Sequence, residues 1–322
     1  MAIQFGRNAY IQVGKNVEST YGDGGTGFDI DNRIFSCSLL KVQNREQVTH
    51  LTSSDGGFAR TQFAVSTEVT GTIELPLFYE GTGCWLKYGI GSVSSSAGPA
   101  PFVHTFSPVI ALPSFGAKFQ RGTGGSEWFK GLMVSTLGIS CSAGEEARLT
   151  VELIGQDSAA RAGSLGAPTF GTGSQVLHNQ AESAALRYTP DGGTLQTYTI
   201  RSFDFLCDNK LERRDRLGSL TTASPDSADL KEVTISIVAE MEDEVIYNHQ
   251  LDGTSGELQI IFQSGTDELK IKLHNAVVMS YEDTVSSVGR LERNFSFKGF
   301  ASSSGEAFSV QVHNASADPI SN

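Results

Sequence analysis

The sequence predicts a mainly β protein built from two copies of one antiparallel unit, each with a single short helix. Three observations carry that prediction. Glycine supplies 35 of the 322 residues and Ser and Thr are frequent, as short strands joined by many turns require. Apolar residues alternate with polar ones along many short runs, the period of a strand with one buried face. Finally, a set of anchors recurs in the same order along the chain, the mark of an internal duplication.

Residues 1–27 read as an N-terminal arm, with strand-like alternation from Ala9 to Val13. The first unit, 28–157, opens on Ile34-Phe35-Ser36-Cys37-Ser38-Leu39-Leu40 and passes into a polar loop at Asn44-Arg45-Glu46. The second, 184–302, repeats this as Ser202-Phe203-Asp204-Phe205-Leu206-Cys207 leading to Asn209-Lys210-Leu211-Glu212, with Asn44 and Asn209 165 positions apart. The next strand begins Glu68-Val69-Thr70 in one unit and Glu232-Val233-Thr234 in the other, 164 positions on. Each then enters a short helix closed by glycine, at Gly89 and Gly253, because glycine tolerates the left-handed backbone that ends helices. In the second helix Met241, Val245 and His249 form a core-facing stripe at helical spacing.

Beyond the helix the register steps once. Phe119-Gln120 answers Phe262-Gln263 at an offset of 143, so the first unit carries 21 extra residues, read as a loop insertion within Ser92 to Leu112. The last strand is Leu149 to Gly155 in one unit and Asn294 to Gly299 in the other. Between the units, 158–183 is rich in Ala, Gly and Ser and reads as a linker. Leu186-Arg187-Tyr188 and Leu195 to Ile200 flank Asp191-Gly192-Gly193, a hairpin that opens the second unit. Residues 303–322 form a C-terminal tail in which Phe308 to Val312 alternate like a strand. Both terminal runs stand as arms that pair with a neighbouring subunit or as frayed edge strands.

Acidic residues outnumber basic ones 36 to 24, for a formal charge of −12. A protein whose task is gripping nucleic acid carries the opposite sign. No run approaches 18 consecutive apolar residues, and the N-terminus lacks a basic segment followed by an apolar one. The expected location before assembly is therefore a cytoplasm. Cys37, Cys84, Cys141 and Cys207 are far apart and form no CxxC pair, which points to small buried thiols rather than a disulfide scaffold or zinc ribbon.

Catalytic and cofactor motifs fare poorly. Gly22-Asp23-Gly24-Gly25-Thr26-Gly27 spells GxGxxG, but the following Phe28-Asp29-Ile30-Asp31-Asn32 has no helical period to hold a pyrophosphate, so the run reads as a flexible loop. His50, His104, His178, His249, His274 and His313 show no compact ligand spacing. Asp29 and Asp31 lack the other positions of a calcium loop, and no GxSxG elbow occurs. No catalytic residue, metal or cofactor is expected.

Arg7-Asn8-Ala9-Tyr10-Ile11-Gln12-Val13-Gly14 followed by Thr20-Tyr21-Gly22 resembles the opening of tail tube proteins of long-tailed bacteriophages. Glu68 to Leu75, the run Leu86-Lys87-Tyr88-Gly89-Ile90-Gly91-Ser92-Val93, and His104-Thr105-Phe106 before Leu112-Pro113-Ser114 are similar to the same family. So are Asn209 to Arg214 and Leu217-Gly218-Ser219, which look like its long inter-strand loop. The match covers nearly the whole chain in order, and its weight rests on that order rather than on any one motif. It implies β-sandwich or half-barrel domains, each with one flanking helix, whose sheets join edge to edge into rings around a lumen. The rings stack through long loops into the conduit for genome ejection.

With two such units per chain, three chains close a pseudo-hexameric ring. The implied partners are further copies of the chain, a tape measure protein and DNA in the lumen without sequence reading, and tail-tip and terminator proteins. The implied location is the virion tail. The acidic charge stands either as a lumen lining that repels phosphates or as a means of keeping the free subunit soluble.

Two loops at equivalent points of the repeat are the expected ring-to-ring contacts. The first holds Arg45, Glu46, Asp55 and Arg60; the second holds Lys210, Glu212, Arg213, Arg214, Asp215 and Arg216. The bland reading of such mixed charge is a solvated surface. Other function classes remain open: a different virion β-sandwich such as a baseplate or tail-terminator component, or a carbohydrate-binding module. The latter would gather exposed aromatics in a groove, whereas Trp85 and Trp128 read as internal to a helix and a strand. A β-rich hydrolase would need a carboxylate pair in a cleft, and no pair is singled out.

Overall fold

The computed structural model describes residues 8–48, 61–96, 98–122, 125–159, 163–171, 173–191, 193–240, 244–283, 292–303 and 305–320. Arg7, His50, Asp55, Arg60 and Met241 lie outside them. The first half runs β1 (Tyr10–Gly14), β2 (Phe28–Asn32), β3 (Ser36–Cys37), β4 (Leu40–Val48), β5 (Thr61–Pro76), helix α1 (Gly83–Ile90), β6 (Gly91–Ser95), β7 (Phe102–Pro108), β8 (Phe115–Gln120), β9 (Ser126–Ser142) and β10 (Arg148–Gly155). After β11 (Asp157–Ser158) and a 3-10 turn at His178–Gln180, the second half runs β12 (Ala181–Pro190), β13 (Gln196–Tyr198), β14 (Ile200–Asp208), β15 (Leu211–Arg214), β16 (Ala223–Ser227) and β17 (Glu232–Glu240). It continues through helix α2 (Val245–Asp252), β18 (Ser255–Ser264), β19 (Asp267–Asp283), β20 (Glu292–Gly299) and β21 (Phe308–Asn314).

One pairing pattern occurs twice, always antiparallel. β1 lies between β2 and β8 as β12 lies between β13 and β18. β4 pairs with β5, β5 with β10, β10 with β9 and β9 with β8. In the second half β14 pairs with β17, β17 with β20, β20 with β19 and β19 with β18. The expected mainly β fold of two similar antiparallel units with one short helix apiece is what the chain adopts.

The halves are stitched together twice. β9 pairs with β14 from Thr136↔Asp208 to Ser142↔Ser202. The result is one continuous sheet in the order β4–β5–β10–β9–β14–β17–β20–β19. The second stitch is β21, which lies between β19 of the second half and β7 of the first. The terminal strands are thus neither arms nor frayed edges, because β1 and β21 each have partners on both sides.

A common hydrophobic core fills the space beneath the long sheet. In the second half Phe203, Phe205 and Phe297 of the long sheet meet Phe262, Phe308 and Tyr188 of β18, β21 and β12, with ring centroids 5.5 to 5.6 Å apart. In the first half α1 drives Trp85 and Tyr88 against Phe115 of β8, the Tyr88 and Phe115 rings stacking at 4.1 Å. Burial pushes the thiols of Cys84 and Cys207 up to about 12 and those of Cys37 and Cys141 up to about 11, and all four are free. They behave as small apolar side chains.

The helices correct two expectations. The residue that ends α1 is Gly91, at φ 125°, rather than Gly89. Gly89 sits in the last turn, where an added Cβ would lie 2.4 Å from Leu137 Cδ1, so it is small because β9 passes so close. Gly253 does cap α2, in the left-handed region at φ 65°. The buried residue of α2 is Ile246, one position off the expected Val245 and His249 stripe.

Ser92 to Leu112 is likewise more than a loop. It forms the β6–β7 hairpin, whose β7 receives β21. The stretch read as a linker packs as a strap: Val176 is fully buried, and bridges tie Phe170, Gln175 and Leu177 to Asp31, Phe78 and Glu146. The glycine-rich loop is also pinned rather than flexible. The Glu18 carboxylate accepts hydrogen bonds from the backbone N–H of Gly22, Gly24 and Gly131 and from Ser114 Oγ, at 2.7 to 2.9 Å. Four donors on one carboxylate explain how a charge that is 9% exposed is accommodated there.

Candidate assembly surfaces

The first expected loop begins as a hairpin. β4 continues through Asn44, Arg45 and Glu46 to Val48, and β5 returns from Thr61. Strand character persists there because Gln43, Asn44 and Glu46 face Thr67, Ser66 and Phe63 across the ladder. Arg45 and Glu46 are exposed, and Arg45 Nη2 donates to Gln43 Oε1 at 3.4 Å. Phe63 is 50% exposed and Val65 39%, on a stretch of β5 that is paired with β4.

The second loop forms its own ladder, β15 with β16. Lys210 turns the chain into it at φ 52°, and its ammonium lies 2.6 Å from Asp208 and 3.4 Å from Glu232. Those partners raise the Lys210 pKa, through the Asp208 hydrogen bond first. Lys298, 2.6 Å from Glu232, is the main cause of the lowered Glu232 pKa. Glu212, Arg214, Asp215 and Arg216 are exposed on the ladder and its turn. Leu217 and Leu230 are also exposed, and charge patterning alone did not single them out.

The two loops meet within one chain, through Arg213. Its Nη2 donates to the Thr67 carbonyl at 2.7 Å, its Nη1 lies 3.5 Å from Glu68, and its Nε donates to Asp215 at 2.8 Å. Beside it the Thr67 N–H donates to the Leu220 carbonyl at 2.6 Å, and Thr67 and Thr221 form a parallel bridge. Arg213 therefore clamps the second loop to the base of the first hairpin, while Arg214, one residue on, points its charge outward with Asp226 3.6 Å away.

Sequence reasoning missed Asn209 as a seal. Its Nδ2 donates to the carbonyls of Gly89 at 2.9 Å and Val134 at 3.1 Å, and its backbone N–H donates to Ser135 at 2.9 Å. It closes the top of the β9–β14 stitch and is 1% exposed. The only signal was its place as a repeat anchor opposite Asn44, which is exposed and donates to Ser66 Oγ.

The long sheet has one apolar and one solvated face. Onto the solvated face alternate Glu68, Glu74, Glu152, Asp204, Asp208 and Glu232, against the cations Arg148 and Lys298. Between them lie Thr72, Thr136, Thr150, Ser140, Ser202 and Ser296, small groups that leave shallow grooves. Its outermost strands differ from the rest. Among the described residues β4 pairs only with β5, and β18 accompanies β19 only as far as Val277. Leu40 and Val42 at one margin are 44% and 43% exposed, and Met279 at the other is 53% exposed.

Residues 6–299 match the family model described as phage tail tube protein. No curated protein matches the chain.

Proposed function

The chain belongs to the phage tail tube protein family, and from that premise we propose that three copies close a ring, that rings stack into the tail tube, and that the tube carries the genome at ejection. The observation that carries this reading is the long sheet, which already runs unbroken across two units and ends on two strand edges. Repeating the internal stitch between chains would close the sheet, with a rotation of one third per chain. Exposed edges of this kind aggregate unless they are used or blocked, and closure uses them.

In this reading the solvated face lines the lumen. Its excess of carboxylates repels DNA phosphates, and its Ser and Thr hydroxyls give no site for sequence reading. The loops make the ring-to-ring contacts, with Arg45, Glu46, Asp55, Arg60, Lys210, Glu212, Arg214, Asp215 and Arg216 as contact residues. Arg213 holds the two loops in one arrangement. The role is structural, without catalysis or cofactor. The partners are further copies, a tape measure protein and DNA within the lumen, and tail-tip and terminator proteins at the ends. The protein waits in the host cytoplasm and ends in the virion tail.

The test is negative-stain electron microscopy of concentrated protein, with and without a tail-tip complex as seed. Hollow tubes of uniform width with three-fold rings are expected. Rings with six-fold averages would overturn the trimer, and compact monomers even when seeded would overturn the tube.

A further inference from the structure

We infer the residue register of the seam between neighbouring chains, and this inference rests on the ring proposed above: β4 of one copy lies antiparallel to the end of β19 of the next, with Val42 opposite Ser280 and the Gln43 N–H donating to the Met279 carbonyl. The β9–β14 stitch is the template, and its transfer depends on matching the two units residue by residue.

The match is fixed by a shared irregularity. Where β10 faces β9, Leu153 pairs with Val134 and Glu152 with Thr136, so Ser135 is skipped as a bulge. Where β20 faces β19, Phe297 pairs with Val278 and Ser296 with Ser280, so Met279 is skipped. A bulge breaks the translational sameness of a ladder, so only one superposition aligns the two. It sets Val134 on Val278, Ser135 on Met279 and Thr136 on Ser280. The neighbouring ladder fixes the other edge. Leu206 faces Thr234 and Asp208 faces Glu232, just as Leu40 faces Thr70 and Val42 faces Glu68. Thr70 and Thr234 occupy the same place, since they face Ile154 and Lys298, which the bulge has already matched. Leu40 is therefore the counterpart of Leu206, and Val42 of Asp208.

Within the chain Asp208 faces Thr136, and the Asn209 N–H donates to the bulge carbonyl of Ser135. The transferred seam is then Val42 facing Ser280, with Gln43 on the bulge carbonyl of Met279. β5 fixes which residues of β4 face the solvated side, so a seam slipped by one residue would set Val42 opposite positions of β19 that face the other way, and the pleat rejects it. The transfer also accounts for the exposure of Leu40, Val42 and Met279 in the single chain. At the seam they gain a neighbouring strand.

The experiment uses assembled tubes of the full chain carrying Val42→Cys with Ser280→Cys, treated with a thiol reagent spanning about 5 Å, the separation of facing Cβ atoms. Covalent dimers and trimers on denaturing gels are expected. Each single variant, and Leu40→Cys with Ser280→Cys, should give about a tenth of that yield or less, since a pair two residues out of register sits ~7–8 Å apart. Equal or faster linkage of the displaced pair would overturn the register while leaving the tube intact. Should the variants not assemble, wild-type protein serves. Amide exchange in 40–43 and 279–280 should slow at least about tenfold from free subunit to tube, as for newly paired strands. Tubes without that protection would overturn the seam alone, whereas protein that forms no tubes removes the premise and the seam with it.

Discussion

Asn209 shows how much one side chain can decide, and why Asn44, which the sequence pairs with it, behaves differently. It satisfies two buried carbonyls, those of Gly89 and Val134, which no other side chain among the described residues reaches. Asn209→Ala leaves both without that donor, at a cost of roughly 1–3 kcal/mol for each group stranded. A loss of about 2–4 kcal/mol in denaturant unfolding is expected. Asn44→Ala removes only an exposed contact to Ser66 and should cost within ~0.5 kcal/mol in the free subunit. Equal losses from the two variants would mean that the stitch is held by its ladder alone. The sequence pairs these two residues, but the ladders set Gln43 rather than Asn44 in the place of Asn209; Asn209 reaches β9 of its own chain, whereas Asn44 lies on a strand paired with β5 alone among the described residues.

At the scale of elements, the loops illustrate where pattern reading stops. Their positions followed from the repeat, but the strand character of Asn44 to Val48 did not, since polar residues on a two-stranded ribbon carry no apolar alternation. The division of labour between Arg213 and Arg214 was equally hidden, because it depends on Thr67 and Glu68 arriving from 146 positions away. It yields a prediction with two arms. Arg214→Glu should leave the subunit as resistant to proteolysis as the wild type while cutting tube yield on the order of tenfold, since a weak exposed pair repeats at every ring. Arg213→Glu should instead expose 210–231 to protease in the free subunit. The same helix rule that identified Gly253 erred at Gly89, where the limit on size comes from Leu137 of a strand that sequence spacing could not place there.

For the molecule as a whole, the fold class and the duplication were legible from period and order, and the family from the resemblance of its motifs. Which strands join the halves was not, because β9 with β14 and β21 with β7 are contacts between distant segments. The solvated face was legible only as alternation, and its charge sign emerges when strands from both halves stand side by side. That sign makes a prediction about the tube: Glu152→Lys with Asp204→Lys, facing one shared groove, should assemble normally yet bind short double-stranded DNA. Binding measured by fluorescence anisotropy should fall steeply between about 50 and 200 mM salt, and wild-type tubes should show none. Variant tubes that ignore DNA at low salt would place this face elsewhere than the lumen.

The position of β21 has a consequence for biosynthesis. It emerges from the ribosome after the twenty described strands that precede it, yet it fills the gap between β19 and β7. Until then β7 carries an open margin, and the two halves are joined by the β9–β14 stitch and the Arg213 clamp without the β21 brace. A chain cut short before Phe308 keeps every residue of the proposed ring seam and lacks the brace that holds its halves at a set angle. A subunit without β21 would thus meet a growing ring with β7 and β19 unjoined, its halves held by the β9–β14 stitch and the Arg213 clamp.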